Sequence, residues 1–420
     1  RGTGVSMLAK AAHRAPAFDV ARVRADFPCL QQTIHGRPLV FLDTAASAQK
    51  PTVVIEAMAR VLREDYANIH RGIYDLSQRA TELHEGARAT VQRFINAANP
   101  REIVFTRNAT ESINLVAQSF VRPRVRPGDQ VLITGLEHHA NIVPWQLLRE
   151  QVGLEMVVAP INDDGELLLE DFEARLSDRT KLVSVTWVSN ALGTINPVRQ
   201  IIALAHARGL PVLLDAAQAV QHMPVDVQEL DCEFLVFSGH KLYGPSGIGV
   251  LYGKADLLEA MPPYQGGGEM IASVSYERTE FNEVPYKFEA GTPAIEAAVG
   301  LAAAIDYVED LGLDNIAVHE AALLAHGTRS LQQIPGLRLV GTAREKCSVL
   351  SFVMDRAHPQ DVGTLLDLDG IAVRTGHHCA QPTIERLGYT ATARASIGLY
   401  NTIEDLDALA AGLRRIASIF

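Results

Sequence analysis

The sequence predicts an α/β protein, a largely parallel sheet covered on both faces by helices, with a smaller α+β unit behind it. Three observations carry that reading. Short β-rich apolar runs alternate with helical periods through the middle of the chain. The runs are nearly continuous in apolar residues, as strands buried on both faces are. After about residue 311 the alternation gives way to helices mixed with isolated strands.

Runs at 103–105, 131–133, 154–158, 182–188, 212–214 and 234–237 read as strands bounded by turn residues. Helical periods lie at 110–120, 144–151, 171–176 and 198–208. Gly209 stops the last of these and Pro211 opens the next strand. The stretch 264–291 holds Gly266-Gly267-Gly268 and little helical period, so a surface loop or hairpin is expected. The Ala-rich stretch 293–311 reads as a helix, and 348–354 and 371–374 as strands of the smaller unit.

Composition bounds the function. The 420 residues are 47% apolar and 21% charged, which excludes a disordered chain, a fibre and a disulfide miniprotein. A net charge of −11 weighs against a nucleic-acid backbone binder but says little about small anions. Cys29, Cys232, Cys347 and Cys379 form no C-x-x-C pair, so neither a zinc ribbon nor a redox dithiol is indicated. Reduced thiols and a cytoplasmic setting are expected, since the basic N-terminus lacks the apolar core of a secretory signal. Its lack of acidic residues before Asp19 leaves a transit peptide open. No apolar run is long enough to predict a membrane-spanning helix.

Five short pieces carry chemistry. Lys241, in Ser238-Gly239-His240-Lys241-Leu242-Tyr243-Gly244-Pro245, follows an apolar strand. It reads either as a solvated lysine or as a Schiff-base lysine whose amine burial makes nucleophilic. Asp215 ends the run at 212–214, where open α/β sheets place ligands and where helix caps also sit. It lies 26 residues before Lys241, about one crossover unit. A carboxylate facing a pyridinium nitrogen and a lysine on the aldehyde are what pyridoxal phosphate needs. Thr106-Arg107-Asn108-Ala109-Thr110-Glu111-Ser112 opens a helix with small polar residues, which suits a phosphate or a simple cap. Glu137-His138-His139-Ala140-Asn141 offers a pocket histidine for stacking or proton transfer more readily than a metal site. Arg374-Thr375-Gly376-His377-His378-Cys379 sets a thiol in loop-like company, with Arg394 beyond it. Such a thiol can attack as thiolate, and the arginines can grip a carboxylate.

Taken in order, these pieces resemble a cysteine desulfurase of the SufS type, within the class V aminotransferase family of fold-type I pyridoxal-phosphate enzymes. Also in that order are Phe41-Leu42-Asp43-Thr44-Ala45-Ala46-Ser47-Ala48-Gln49-Lys50-Pro51 and Asn68-Ile69-His70-Arg71-Gly72. The resemblance covers about Asp19 to the C-terminus. It implies a mainly parallel seven-stranded sheet in a large cofactor-binding domain over 41–310. It further implies an N-terminal segment over 18–40 packed on a small domain, and a small domain over 311–420 bearing the cysteine loop. Residues 1–17 form an extension that reads as a tag remnant.

The resemblance assigns roles by position. Lys241 bonds the cofactor, pyridoxal 5'-phosphate; Asp215 pairs with its ring nitrogen and Gln218 reaches its ring oxygen. His138 stacks on the ring and assists proton transfer. Ala109, Thr110, Ser238 and His240 bind the phosphate, and Thr292 reaches the phosphate of a second subunit, so a homodimer follows. His70, Asn190, Arg374 and Arg394 contact L-cysteine, with Arg394 on its carboxylate. Cys379 takes the sulfur as a persulfide, L-alanine leaves, and a SufE- or SufU-type acceptor feeds iron–sulfur assembly. No metal is implied. Selenocysteine lyase, kynureninase-like and aminotransferase chemistry are the alternatives; the last two would share Lys241 and Asp215 without needing Cys379.

Overall fold

The computed structural model describes residues 18–419, so the expected extension over 1–17 lies outside them. Its centre is a seven-stranded sheet. The strands are Ile103–Thr106 (β1), Gln130–Thr134 (β2), Glu155–Ala159 (β3), Thr180–Thr186 (β4), Val212–Asp215 (β5), Phe234–Ser238 (β6) and Gly249–Gly253 (β7). Their order is β1-β7-β6-β5-β4-β2-β3. Pairs between β6 and β3 are parallel, and β7 runs antiparallel between β6 and β1.

Every residue of β1, β5, β6 and β7 is buried. That explains the unbroken apolar runs: successive side chains point to opposite faces, and both faces are covered. Val212 and Leu214 pack with Ile201 and Leu301 in one core layer. Leu213 packs with Ile113, Val116 and Trp145 in the other. The covering helices include Asp75–Phe94, Val198–His206 and Ile295–Leu311 on the first face, and Ala109–Leu115 and Val143–Val152 on the second.

Three boundaries differ most from the periodicity; the strand expected over 371–374 is split into Ile371–Ala372 and Arg374–Gly376, which belong to different sheets. The run at 182–188 leaves the sheet after Thr186, because Val188 turns aside to bridge Ile195. The helix expected over 110–120 is regular over Ala109–Leu115 and then widens into π-turns over Val116–Val121.

The stretch 264–291 contains an exposed antiparallel hairpin, Ile271–Val274 (β8) with Thr279–Phe281 (β9). Beyond it, Leu337–Val340 (β10), Val349–Met354 (β11), Arg374–Gly376 (β12) and Thr392–Ser396 (β13) form a four-stranded antiparallel sheet ordered β10-β11-β13-β12. Helices Leu313–Gln332, Pro359–Asp367 and Ile403–Ile419 share its core. The N-terminal residues touch this region: Val40–Phe41 pairs in parallel with Ile371–Ala372, and Arg24 reaches Asp405 at 2.9 Å. All four cysteines are free thiols. No helix among the described residues is long and apolar enough to cross a membrane.

Candidate active site

Parallel strands end together, and the loops leaving them diverge into a crevice. Here β5 ends at Asp215, β6 at Ser238 and β4 at Thr186, and all three line one cavity of about 200 Å³. Lys241 stands beside them on the single 3₁₀ turn Gly239–Lys241 that follows β6. That turn is held from outside. The His240 carbonyl accepts from the Ala48 N–H at 3.0 Å and from Lys50 Nζ at 2.9 Å, and His240 Nδ1 meets Ser47 Oγ at 3.1 Å.

Lys241 Nζ makes no hydrogen bond among the described residues. Burial lowers its pKa to about 8, with Asp215 opposing and Arg394 adding to the fall. Such an amine is unprotonated often enough to act as a nucleophile. Asp215 is buried and accepts from the Ala217 N–H at 3.0 Å. Burial pushes its carboxyl upward, while that N–H and Lys241 pull it back. Gln218 is fixed by donating to the Ala45 carbonyl at 2.7 Å and accepting from Gln221 at 3.0 Å.

An anion corner lies alongside. Asn108 caps the helix Ala109–Leu115 by accepting from the Glu111 N–H at 2.9 Å, and the Ala109 N–H donates to Ser238 Oγ at 2.9 Å. Free N–H groups at such an end attract phosphate. Thr110 and His240 line the same cavity. Gly249 makes the corner possible. It pairs with both Thr106 and Ser238, and a Cβ there would stand 2.4 Å from Asn108 Cα.

The histidine pair divides its work. His138 lines the cavity, and its Nδ1 accepts from the Ala140 N–H at 3.0 Å, leaving the ring proton on Nε2. Burial, then the Lys241 charge, holds its pKa down at about 3, so the ring is neutral. His139 turns to the cysteine loop: its N–H donates to the Cys379 carbonyl at 2.7 Å, and its Nε2 accepts from the Gln381 N–H at 3.1 Å. Glu137 lies buried behind both. It accepts from Thr134 Oγ1 at 2.6 Å, Asn141 Nδ2 at 2.7 Å and the Thr186 N–H at 2.9 Å, and burial raises its pKa to about 7.

The opposite wall comes from the four-stranded sheet. Arg374 and Arg394 are paired across β12 and β13, and both line the cavity with Cys379. Arg394 is 1% exposed. It donates to the Asn190 carbonyl at 2.8 Å and to Asp43 Oδ1 at 3.0 Å, while its Nε has no partner among the described residues. Asn190 donates to the His378 carbonyl at 2.5 Å and leaves its Oδ1 unpartnered among the same residues. A buried guanidinium N–H and a buried amide oxygen without partners are what a bound polar molecule satisfies.

His70 and Thr292 are not brought here. His70 lines a second cavity, of about 510 Å³, beside the β8–β9 hairpin and binds Glu85 at 3.0 Å, which raises its pKa. Thr292 is exposed between Gly291 and Pro293, which line that second cavity. Four residues escaped the reading of roles from sequence: Asp43, Lys50, Glu137 and His139. Each sits inside a motif that was noticed, but its partner lies elsewhere in the chain.

Residues 40–409 match the aminotransferase class-V family. A cysteine desulfurase of Dickeya dadantii is 53% identical over 400 residues, covering 95% of this chain and 97% of that protein. The chain belongs to the aminotransferase class-V family. The cysteine desulfurase of Synechococcus elongatus is also 53% identical, over 96% of this chain, which spans 65% of that longer protein. Among solved structures, the cysteine desulfurase CsdA of Escherichia coli superposes with a TM-score of 0.90 at 40% identity, over 96% of this chain and 100% of that one. The family match runs from Val40 into the last helix, Ile403–Ile419, so both sheets belong to one family fold.

Proposed function

We propose that this chain is a pyridoxal-phosphate-dependent cysteine desulfurase of the SufS type, which releases L-alanine from L-cysteine and keeps the sulfur on Cys379. One observation carries the reading: an amine with lowered pKa, a buried carboxylate and a loop thiol line one cavity, together with paired arginines. The residues fit the cofactor. Lys241, whose amine has no hydrogen bond among the described residues, would attach it; the buried Asp215 carboxylate would pair with its ring nitrogen, and the fixed Gln218 amide would serve its ring oxygen. Ala109, Thr110, Ser238 and His240 form the phosphate corner. When bound, pyridoxal phosphate takes up the electron pair left at the substrate's α-carbon.

The chain's own residues do the rest. The Lys241 amine would hold the cofactor and, when free, would move the substrate's α-proton. Asp215 would favour a protonated ring nitrogen. His138, neutral, would stack on the ring and holds a transferable proton at Nε2. Arg394, held by Asp43 and the Asn190 carbonyl, keeps a forked donor for the substrate carboxylate, with Arg374 and Asn190 beside it. The Cys379 thiolate attacks the substrate sulfur; an S–S bond forms, the C–S bond breaks, and its electron pair stays with carbon, to be protonated on the way to L-alanine.

The wider reading follows the resemblance. The enzyme is a cytoplasmic homodimer in which Thr292 and His70 complete the partner's site, and their place outside the Lys241 cavity supports this. The large domain ends near residue 310 and the small one carries the cysteine loop. Sulfur passes to a SufE- or SufU-type acceptor for iron–sulfur assembly.

The test is alanine release from L-cysteine by the cofactor-loaded protein, with and without a thiol reductant. Alanine matched by sulfide and lost in Cys379→Ser supports the reading. A coloured, cofactor-loaded protein that yields alanine only from L-selenocysteine, or none at all, overturns it.

A further inference from the structure

We propose that His139 is a positioning residue for Cys379, pinning the thiol loop at both sides through its backbone N–H and its ring nitrogen. The inference rests on the reading of Cys379 as the sulfur acceptor.

The loop needs pins. His378 and Cys379 are consecutive non-glycine residues in left-handed backbone, each at φ 55°. L-residues disfavour that region because Cβ crowds the following carbonyl oxygen. Strained backbone persists where its surroundings over-determine it. Residue 378 is held twice, by Asn190 on its carbonyl and by Thr392 Oγ1, 2.7 Å from its Nε2. His139 takes hold further along. Its N–H donates to the Cys379 carbonyl at 2.7 Å, and its Nε2 accepts from the Gln381 N–H at 3.1 Å.

The two contacts differ in kind. The first is backbone to backbone and survives any substitution except proline. The second needs a side-chain acceptor at Nε2, hence a neutral ring protonated at Nδ1. Burial and the neighbouring His377 both hold the ring towards that neutral form. Gln381 opens the helix Gln381–Arg386, so its N–H has no partner within the helix and the imidazole supplies one. His139 also adjoins His138 on the turn His139–Asn141. The thiol loop, which comes from the smaller sheet, is thereby referenced to the turn that presents His138 to the cavity.

The test compares His139→Phe, which keeps a ring and the backbone N–H but loses the acceptor, with His139→Gln, which restores an acceptor. In cofactor-loaded protein, the rate of Cys379 alkylation by iodoacetamide is read by peptide mass spectrometry against Cys29 in the same molecule, beside kcat and KM for alanine formation. His139→Phe is expected to change the Cys379-to-Cys29 labelling ratio about threefold or more and to lower kcat about tenfold, with KM and cofactor absorption unchanged. His139→Gln recovers most of both. A wild-type labelling ratio in His139→Phe overturns the proposal, as does a changed ratio with unchanged kcat, or a His139→Gln that recovers neither. If the wild-type protein itself forms no alanine, the desulfurase reading fails, and the labelling ratio still decides whether His139 pins the loop.

Discussion

Lys241 and Cys379 line the same cavity but are placed by opposite means. Lys241 follows a strand buried at every residue, on a turn tied down by hydrogen bonds to the His240 carbonyl and ring. Cys379 sits in left-handed backbone and depends on contacts with Asn190, Thr392 and His139, which belong to other parts of the chain. A sheet end holds a group that must keep one position through a reaction. A latched loop holds a group whose place is set by contacts from elsewhere in the chain. The difference teaches which substitutions abolish chemistry and which only blur it.

The largest effect should come from the sheet side. Lys241→Ala is expected to reduce turnover by about a thousandfold or more and to abolish covalent cofactor attachment, read from the cofactor that stays on the chain after borohydride reduction followed by denaturation, with the fold intact. Retained covalent cofactor would erase the contrast. Next is the arginine between the two regions. Arg394→Lys keeps the charge but loses the fork that holds Asp43, the Asn190 carbonyl and a carboxylate together. KM for cysteine should rise about ten- to a hundredfold, with a smaller change in kcat, in steady-state kinetics. The smallest effect sharpens the picture of a desolvated sheet side. His138 has a folded pKa of about 3 against an ordinary 6.5, so below pH 6.5 the unfolded chain takes up a proton that the folded chain refuses. Its contribution to stability is complete above that pH and is lost as pH falls towards 3. The melting temperature of the cofactor-free protein should therefore drop between pH 7.5 and 5.5, and by about one to two degrees less in His138→Phe.

What the sequence made legible follows the same division. The strands of the large sheet announce themselves because both faces are covered, and Lys241 and Asp215 sit at their ends. The strand β7 was missed: its five residues are bounded by glycines and resemble the turn before them. The latching contacts were equally hidden. Asp43 meets Arg394 across 351 positions and His139 meets Gln381 across 242, and local pattern carries nothing about such pairs. Glu137 has no role in its own motif, and only the fold surrounds it with Thr134, Asn141 and Thr186. The motif resemblance supplied roles for residues that touch ligand, and none for residues that hold those residues in place.

Gly249 has a genetic consequence. It bears no side chain, titrates nothing and touches no ligand, yet the backbone of Asn108 occupies the space a methyl group would need. Any replacement must push the cap of the helix Ala109–Leu115 or pry β7 from its two neighbours. In a saturation screen scored on sulfur delivery, that silent position should therefore sort with Lys241 and Cys379, intolerant of even alanine, although no chemical probe of the active centre would ever report it.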